Sequence, residues 1–325
     1  MAGIKELLED VLKEAEGVSL GIDKNINDYL DTGNLALNKI ISDDYFKGYP
    51  LGRIVELYGD PSTGKSMLIY QAMANWQKKY EEKAVCILDD TEDVFTEFVA
   101  RIVGLDGSKV LVVSSETVED HFETVFLGAK KKQSLVDRIL SRNKDFKIIV
   151  ALDSVAHLST RHEKEVGLDK SDLSKAKQIR AGLRLAQKTV SSNNILYLIS
   201  NHVYAPLSAI RPTKTTPGGK AIPFLSSVRI ELELKQKIGT QGVVSKAFVK
   251  KNKVAQPFRS CELYIDFKTG LDRVSGVESY LVEDGLLKDR ASWWELPDGK
   301  KIRKGELDED VVMSLFKKSE KKNGK

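Results

Sequence analysis

The chain has 325 residues, 41% hydrophobic and 30% charged, with a formal net charge of +4, two cysteines and four histidines. That apolar content suffices for a sizeable core, and Cys86 and Cys261, far apart in apolar segments, read as small core residues rather than a disulfide framework. The first twenty residues are too charged for a signal peptide and no apolar run approaches membrane-spanning length, so the expectation is a soluble, cytoplasmic protein with no membrane partner.

Residues 3–16 place Ile4, Leu7, Leu8, Val11, Leu12 and Ala15 at helical spacing, opposite Glu6, Glu9, Asp10 and Glu14, which predicts an amphipathic helix. It packs either on its own core or on a neighbouring subunit. A connection follows, with a short helix beginning at Asn34 to Leu37. Strands are then predicted at 53–58, 84–89, 109–114, 147–153 and 195–200, and helices at 66–80, 91–103, 118–141 and 172–191. Such alternation predicts an α/β fold with a mostly parallel sheet. After Gly219, segments 228–234, 246–250 and 261–267 read as antiparallel strands that extend it.

The domain division expected is an N-terminal helix and connector (1–32), an α/β core (33–269), a small α+β module (270–316) with Trp293-Trp294 and a helix near 308–316, and a basic tail (317–325). With five lysines and one acid, the tail is expected to be disordered. Residues 173–261 hold sixteen of the 51 Lys and Arg but only two acids, Glu231 and Glu233, so the remainder of the chain is net acidic. A polyanion could use this positive segment, unless its charges disperse over several solvated faces.

The most specific chemical signal is Gly59-Asp60-Pro61-Ser62-Thr63-Gly64-Lys65-Ser66, which fits the phosphate-loop pattern between a predicted strand and a predicted helix. The glycines let backbone N–H groups wrap a phosphate, Lys65 reaches the terminal phosphates, and the Ser66 hydroxyl ligates a magnesium ion. Asp153, at the end of Ile148 to Leu152, falls at the carboxyl edge of the sheet, where it could hold magnesium through water. Hydrolysis of ATP also needs a group that activates water. Asp89, Asp90, Glu92 and Asp93 are on offer; Glu92 is favoured because it lies beyond the strand end, with Asp90 as runner-up. The histidines, His121, His157, His162 and His202, show no paired metal-ligand spacing and read as core or surface residues, apart from His202.

With Leu51-Gly52-Arg53 leading into the phosphate loop, then Asp90-Thr91-Glu92 and Leu152-Asp153-Ser154-Val155, the chain resembles the RecA family of recombinases. Further matches are Ile199-Ser200-Asn201-His202, Thr215 to Ala221, the run from Phe248 through Lys251-Asn252-Lys253 to Pro257-Phe258, and Ala291 to Trp294. The resemblance spans about residues 32 to 297. It implies a P-loop NTPase core with a central mixed, mostly parallel sheet, using ATP and Mg2+, in a DNA-dependent ATPase. It also implies helical filaments on single-stranded DNA that catalyse homologous pairing and strand exchange with duplex DNA. Single-strand-binding and mediator proteins are candidate accessory partners. A RecA-fold hexameric helicase or translocase, or a non-catalytic ATP- and DNA-binding filament modulator, is the alternative.

By the same resemblance, Glu92 activates water, while Lys251 and Lys253 reach the γ-phosphate of a neighbouring subunit's ATP. A first DNA loop matches Arg161 to Asp172, with Arg161, Lys164, Val166 and Leu168. A second matches Val203 to Pro217, with Leu207, Ile210, Arg211 and Lys214, followed by Gly218 and Gly219. His202 takes a position where bacterial members usually carry Gln, at the junction of the nucleotide site and the second loop. Val99 stands where those members have an aromatic residue on adenine, with Phe98 adjacent.

Overall fold

The structure, a computed structural model, describes residues 3–14, 26, 28–129, 132–167, 174–204 and 215–322. Its elements, in chain order, begin with α1 (Ile4–Glu14), β1 (Tyr29–Leu30), α2 (Leu35–Ser42), β2 (Tyr49–Pro50), β3 (Ile54–Gly59), α3 (Lys65–Tyr80), β4 (Ala84–Asp90) and α4 (Glu97–Ile102). Next come β5 (Val110–Val113), α5 (Val118–Phe122), α6 (Leu135–Arg142), β6 (Lys147–Asp153), α7 (Arg161–Val166), α8 (Ser174–Ser192), β7 (Leu196–His202) and α9 (Ala221–Leu225). The chain continues through β8 (Val228–Ile238), β9 (Gly242–Asn252), β10 (Ser260–Asp266), β11 (Gly270–Leu271), α10 (Glu278–Glu283), β12 (Lys288–Asp289), β13 (Trp293–Glu295), β14 (Lys301–Arg303) and α11 (Glu309–Lys322).

A nine-stranded sheet in the order β11-β10-β9-β8-β3-β7-β6-β4-β5 carries the molecule. From β8 to β5 the pairings are parallel, and β9, β10 and β11 add antiparallel. The mixed, mostly parallel α/β architecture expected from the alternation is the one observed. Parallel strands buried on both faces must be apolar at successive positions, and the alternate side chains divide between two cores. Val55, Leu57, Cys86, Leu88, Ile149, Ala151, Leu196 and Leu198 face α2 and α3, while Ile54, Ile87, Ile148, Val150, Leu152, Tyr197 and Ile199 face α5 and α8. Trp76 of α3 is fully buried and donates its indole N–H to the Lys147 carbonyl at 2.9 Å, anchoring α3 beneath β6.

Three expectations needed correction. The helix expected at 91–103 starts only at Glu97, because Asp93 has φ 57°, the Phe95 N–H bonds to Asp90, and Thr96 supplies the cap. The helix expected at 118–141 breaks into α5, a π turn at 123–127 and α6, since Gly128 has φ 71° and its N–H bonds back to Glu123. Residues 317–322 of the tail expected to be disordered continue α11, whose Val312, Leu315 and Phe316 are buried and whose Lys318 pairs with Asp298 at 2.7 Å.

The C-terminal segment shares a core with the larger sheet. Val277, Leu281, Leu287, Val312 and Leu315 belong to the same buried cluster as Leu35 and Ile40, and the Phe316 ring lies 4.8 Å from Tyr45. On α1, by contrast, Ile4, Leu8 and Val11 are exposed. No helix among the described residues is long and apolar enough to cross a membrane.

Candidate nucleotide and nucleic-acid site

The phosphate loop joins β3 to α3 at the carboxyl edge of the parallel strands, where ligands of open α/β sheets bind. Helices α2, α4, α5, α6 and α7 are capped by the side chains of Asn34, Thr96, Thr117, Ser134 and Thr160, each accepting a first-turn N–H. Helix α3 has no such cap: its N-cap is Gly64, in the left-handed region at φ 91°, ψ 14°. Its first-turn N–H groups, where the helix dipole is positive, are left for an anion. The backbone conformation demands glycine here, and a Cβ would also lie 2.1 Å from the Ile265 Cδ1, so that side chain would have to shift.

Lys65 is buried and donates to the Gly59 carbonyl at 3.1 Å and the Asp60 carbonyl at 2.9 Å. Burial lowers its pKa, while Asp153, Glu92 and Asp60 pull the other way. Thr63 bonds to the Asp60 carbonyl at 2.9 Å, and Pro61 and Ser62, the latter at φ 62°, form the exposed tip.

Asp153 ends β6 with one carboxylate oxygen accepting from the Ser200 hydroxyl; its Oδ2 is buried with no hydrogen bond among the described residues. Burial raises its pKa, the Ser200 and Ser66 hydroxyls oppose this, and the charges of Glu92 and Asp90 add to the rise. An uncompensated buried carboxylate oxygen beside a serine hydroxyl is a hard-oxygen donor set, and Ser66 with Asp153 fits magnesium. Tyr70 of α3 lies among the same charges; its hydroxyl and the Asp90 Oδ1 are likewise buried without partners among the described residues.

Glu92 is held by lacing between the ends of β4 and β6. The Thr91 hydroxyl donates to the Ser154 carbonyl and accepts from the Ser154 N–H, both at 2.8 Å, and the Thr91 N–H bonds to the Asp153 carbonyl at 2.9 Å. The Glu92 carboxylate then meets the Ser154 hydroxyl at 2.7 Å, His202 Nε2 at 3.0 Å and His157 Nδ1 at 3.1 Å. Burial would raise its pKa, but the bonds to His202 and Ser154 and the charges of both imidazoles hold it below the usual carboxylate range. Asp90, the runner-up, is committed to the loop through its 2.8 Å bond from the Phe95 N–H.

His157 is the residue that sequence reasoning missed. It stands just past β6 and His202 ends β7, two adjacent parallel strands, so residues far apart in sequence meet over Glu92. Strand-end position was the available signal; ligand spacing along the chain was not. His121, in contrast, is a core residue, bridging Asp89 at 2.6 Å and the Tyr197 hydroxyl at 2.7 Å, and His162 is exposed on α7.

The lysines sit elsewhere. Gly59 pairs with Leu232 of β8, whereas Lys251 pairs with Arg229 and the Lys253 N–H bonds to Ser227, toward the amino end of β8. Between Leu232 and Ser227 the strand advances about 16 Å. Lys251 donates to the Pro223 and Phe224 carbonyls at 2.6 and 2.9 Å, and its pKa is lowered to about 8 by burial and by the charges of Lys253 and Arg229. Lys253 is exposed. Nearby, fully buried Glu56 binds Arg229 and Asn201, and Asn201 also donates to the Pro217 carbonyl at 3.1 Å.

Of the expected DNA-contacting residues, Arg161, Lys164 and Val166 lie on α7, which is helical because Thr160 caps it. Arg161 is neutralised by Glu123 and Asp120, each at 2.7 Å, and Lys164 pairs with Glu116. Gly218 and Gly219 form the turn entering α9, with Gly218 packed against Ile179. Leu168, Leu207, Ile210, Arg211 and Lys214 lie outside the described residues. The segment holding the last four is framed by reciprocal 2.9 Å bonds between Tyr204 and Thr215. Val99 packs on the core and Phe98 is 71% exposed.

This arrangement agrees with the comparisons. The family model for the RecA N-terminal domain matches residues 9–272. The chain is 30% identical over 300 residues to Protein RecA of Thermus thermophilus, covering 90% of this chain and 82% of that one. It is 29% identical over 297 residues to Protein RecA of Malacoplasma penetrans, covering 90% and 84%, and 32% identical over 278 residues to that of Bacteroides thetaiotaomicron, covering 83% and 78%. A model match across most of the chain, joined to a phosphate loop, strand-end aspartate and glutamate in one edge cluster, means that the chain belongs to the RecA family.

Proposed function

We propose that this protein is a DNA-dependent ATPase that assembles as a helical filament on single-stranded DNA and promotes homologous pairing and strand exchange. The observation that carries the reading is the separation of two incomplete half-sites. The phosphate loop and Glu92 stand at one end of the parallel strands, and Lys251 and Lys253 stand toward the other. The lysines cannot serve their own chain's phosphate loop, but a head-to-tail neighbour brings them to it, and such a heterologous contact propagates as a helix. The exposed Ile4, Leu8 and Val11 face of α1 supports the same assembly.

In this mechanism the α3 N-terminus and Lys65 bind the β- and γ-phosphates, and Ser66 and Asp153 would hold magnesium, which would supply charge neutralisation to the phosphates. Glu92, kept ionised by His202 and His157, accepts the proton of the attacking water. Lys251 leaves its carbonyl partners to stabilise the transferring phosphoryl group of the neighbour. His202 links Glu92 to the segment framed by Tyr204 and Thr215, so γ-phosphate occupancy biases the DNA-binding arrangement.

The test is ATP hydrolysis with and without single-stranded DNA, for wild type and Lys251→Ala, over a range of protein concentrations. Strong DNA stimulation that rises cooperatively with concentration and collapses in the variant is expected. Hydrolysis indifferent to DNA and to Lys251 would overturn the reading in favour of a self-contained motor.

A further inference from the structure

Glu92, His157 and His202 form a donor set unlike the magnesium site. One ligand atom from each, the carboxylate Oε1, His157 Nδ1 and His202 Nε2, lies within 4.8 Å of the others. The carboxylate oxygen is 3.0 Å from one imidazole nitrogen and 3.1 Å from the other, and the two rings cross at 78° with centroids 5.8 Å apart. Tetrahedral ligands on zinc, at bond lengths near 2.0–2.2 Å, stand about 3.4 Å from one another. Two of the three separations are a few tenths of an ångström shorter than this and the third is at most 4.8 Å, so the donors reach an ion by a rearrangement of these side chains. Two imidazoles, which bind a metal ion once deprotonated, and a carboxylate favour a borderline transition metal over magnesium, which prefers hard oxygen donors.

We propose that Glu92, His157 and His202 constitute a three-ligand site for a zinc-class divalent transition metal, with a fourth position open to solvent. The backbone that carries the three donors is held in place. Thr91 fixes the Glu92 backbone against Ser154, Lys175 holds the turn bearing His157 through a 3.0 Å bond to the Ala156 carbonyl, and His202 is fixed at the end of β7. His157 is about half exposed, which gives the ion an entry path. Metal binding ties together the ends of β4, β6 and β7 and occupies the carboxylate that would otherwise accept a proton from water. The site rests on geometry alone; that its occupation halts ATP hydrolysis rests on the role proposed above for Glu92.

The deciding experiment is titration of the full-length, nucleotide-free and magnesium-free protein with Co2+, followed by visible absorption, then displacement with Zn2+. One equivalent of Co2+ giving the ligand-field bands of a four-coordinate ion, displaced by Zn2+, is expected in wild type and in His162→Ala, which changes an exposed histidine outside the cluster. His157→Ala and Glu92→Gln, checked as folded by circular dichroism, are each expected to weaken binding at least tenfold, the loss that even outer-layer changes cause at metal sites. Absence of a saturable one-equivalent site in wild type, or wild-type affinity in either cluster variant, would overturn the proposal. The readout needs no nucleotide, so a chain that hydrolyses no ATP still decides it. If ATP is hydrolysed, one equivalent of Zn2+ stops it; full activity at saturating Zn2+ overturns the inhibitory consequence alone.

Discussion

At the carboxyl edge of β3, β4, β6 and β7 the chain gathers Asp153, Glu92 and Asp60 around one buried lysine, and several buried oxygens lack partners among the described residues. Toward the amino end of β8 it gathers Lys251, Lys253 and Arg229, with burial and mutual repulsion pushing the Lys251 pKa down. The first cluster is short of positive charge and the second of negative charge. Each imbalance costs energy in the single chain, and in the assembly proposed above each cluster, with a nucleotide, relieves the other on a neighbouring copy.

Removing a cation from the first cluster should break that contrast most severely. Lys65→Ala is expected to lower kcat by about a thousandfold, comparable with loss of a central oxyanion donor, as read by steady-state phosphate release. Glu92→Gln should lower the chemical step by about a hundredfold or more while ATP binding, followed by equilibrium fluorescence of a labelled nucleotide, persists. The two ends can also be separated genetically. Mixing Lys65→Ala chains with Lys251→Ala chains, each inactive alone, should restore up to about a quarter of wild-type hydrolysis, because that share of heterologous interfaces pairs an intact loop with an intact lysine. No restoration on mixing would mean that both groups serve one chain.

Smaller effects sharpen the same contrast. Gly64→Ala should destabilise the fold by about 1–3 kcal/mol, from left-handed strain and from crowding against Ile265, measured by urea denaturation. The Lys251 charge makes stability depend on pH. Its pKa falls from 10.5 to about 8 on folding, so between those values the unfolded chain binds more protons, and stability rises with pH. Relative to Lys251→Met, the wild-type urea midpoint should climb from pH 8 to pH 10. A flat difference would mean that Lys251 is not desolvated.

Much of the fold and of the phosphate site is legible in the sequence. The phosphate loop is a contiguous pattern whose flanking periodicity marks the strand and helix, and Asp153 follows from an apolar run ending in an acid. The strand end is what sets Glu92 apart from Asp90 in the sequence, and the structure adds that Asp90 accepts the Phe95 N–H. His157 escapes because its partners come from other strands, and the ion pairs of Arg161 escape because Asp120 and Glu123 lie on α5 and the π turn after it, with α6 and β6 intervening in the chain.

What the sequence determined by itself is therefore what short-range chemistry encodes. Short continuous apolar runs select strands, a missing side-chain cap at Gly64 leaves donors for phosphate, and Lys65 and Ser66 follow at fixed offsets along one chain. Only the tertiary structure decided which distant strand ends share an edge: His157 and His202 over Glu92, Asn201 between Glu56 and Pro217, and Lys251 near the end opposite its own phosphate loop. The reason is that strand order and direction in a sheet are fixed by burial of both faces across the whole domain, and no local window of sequence contains that constraint.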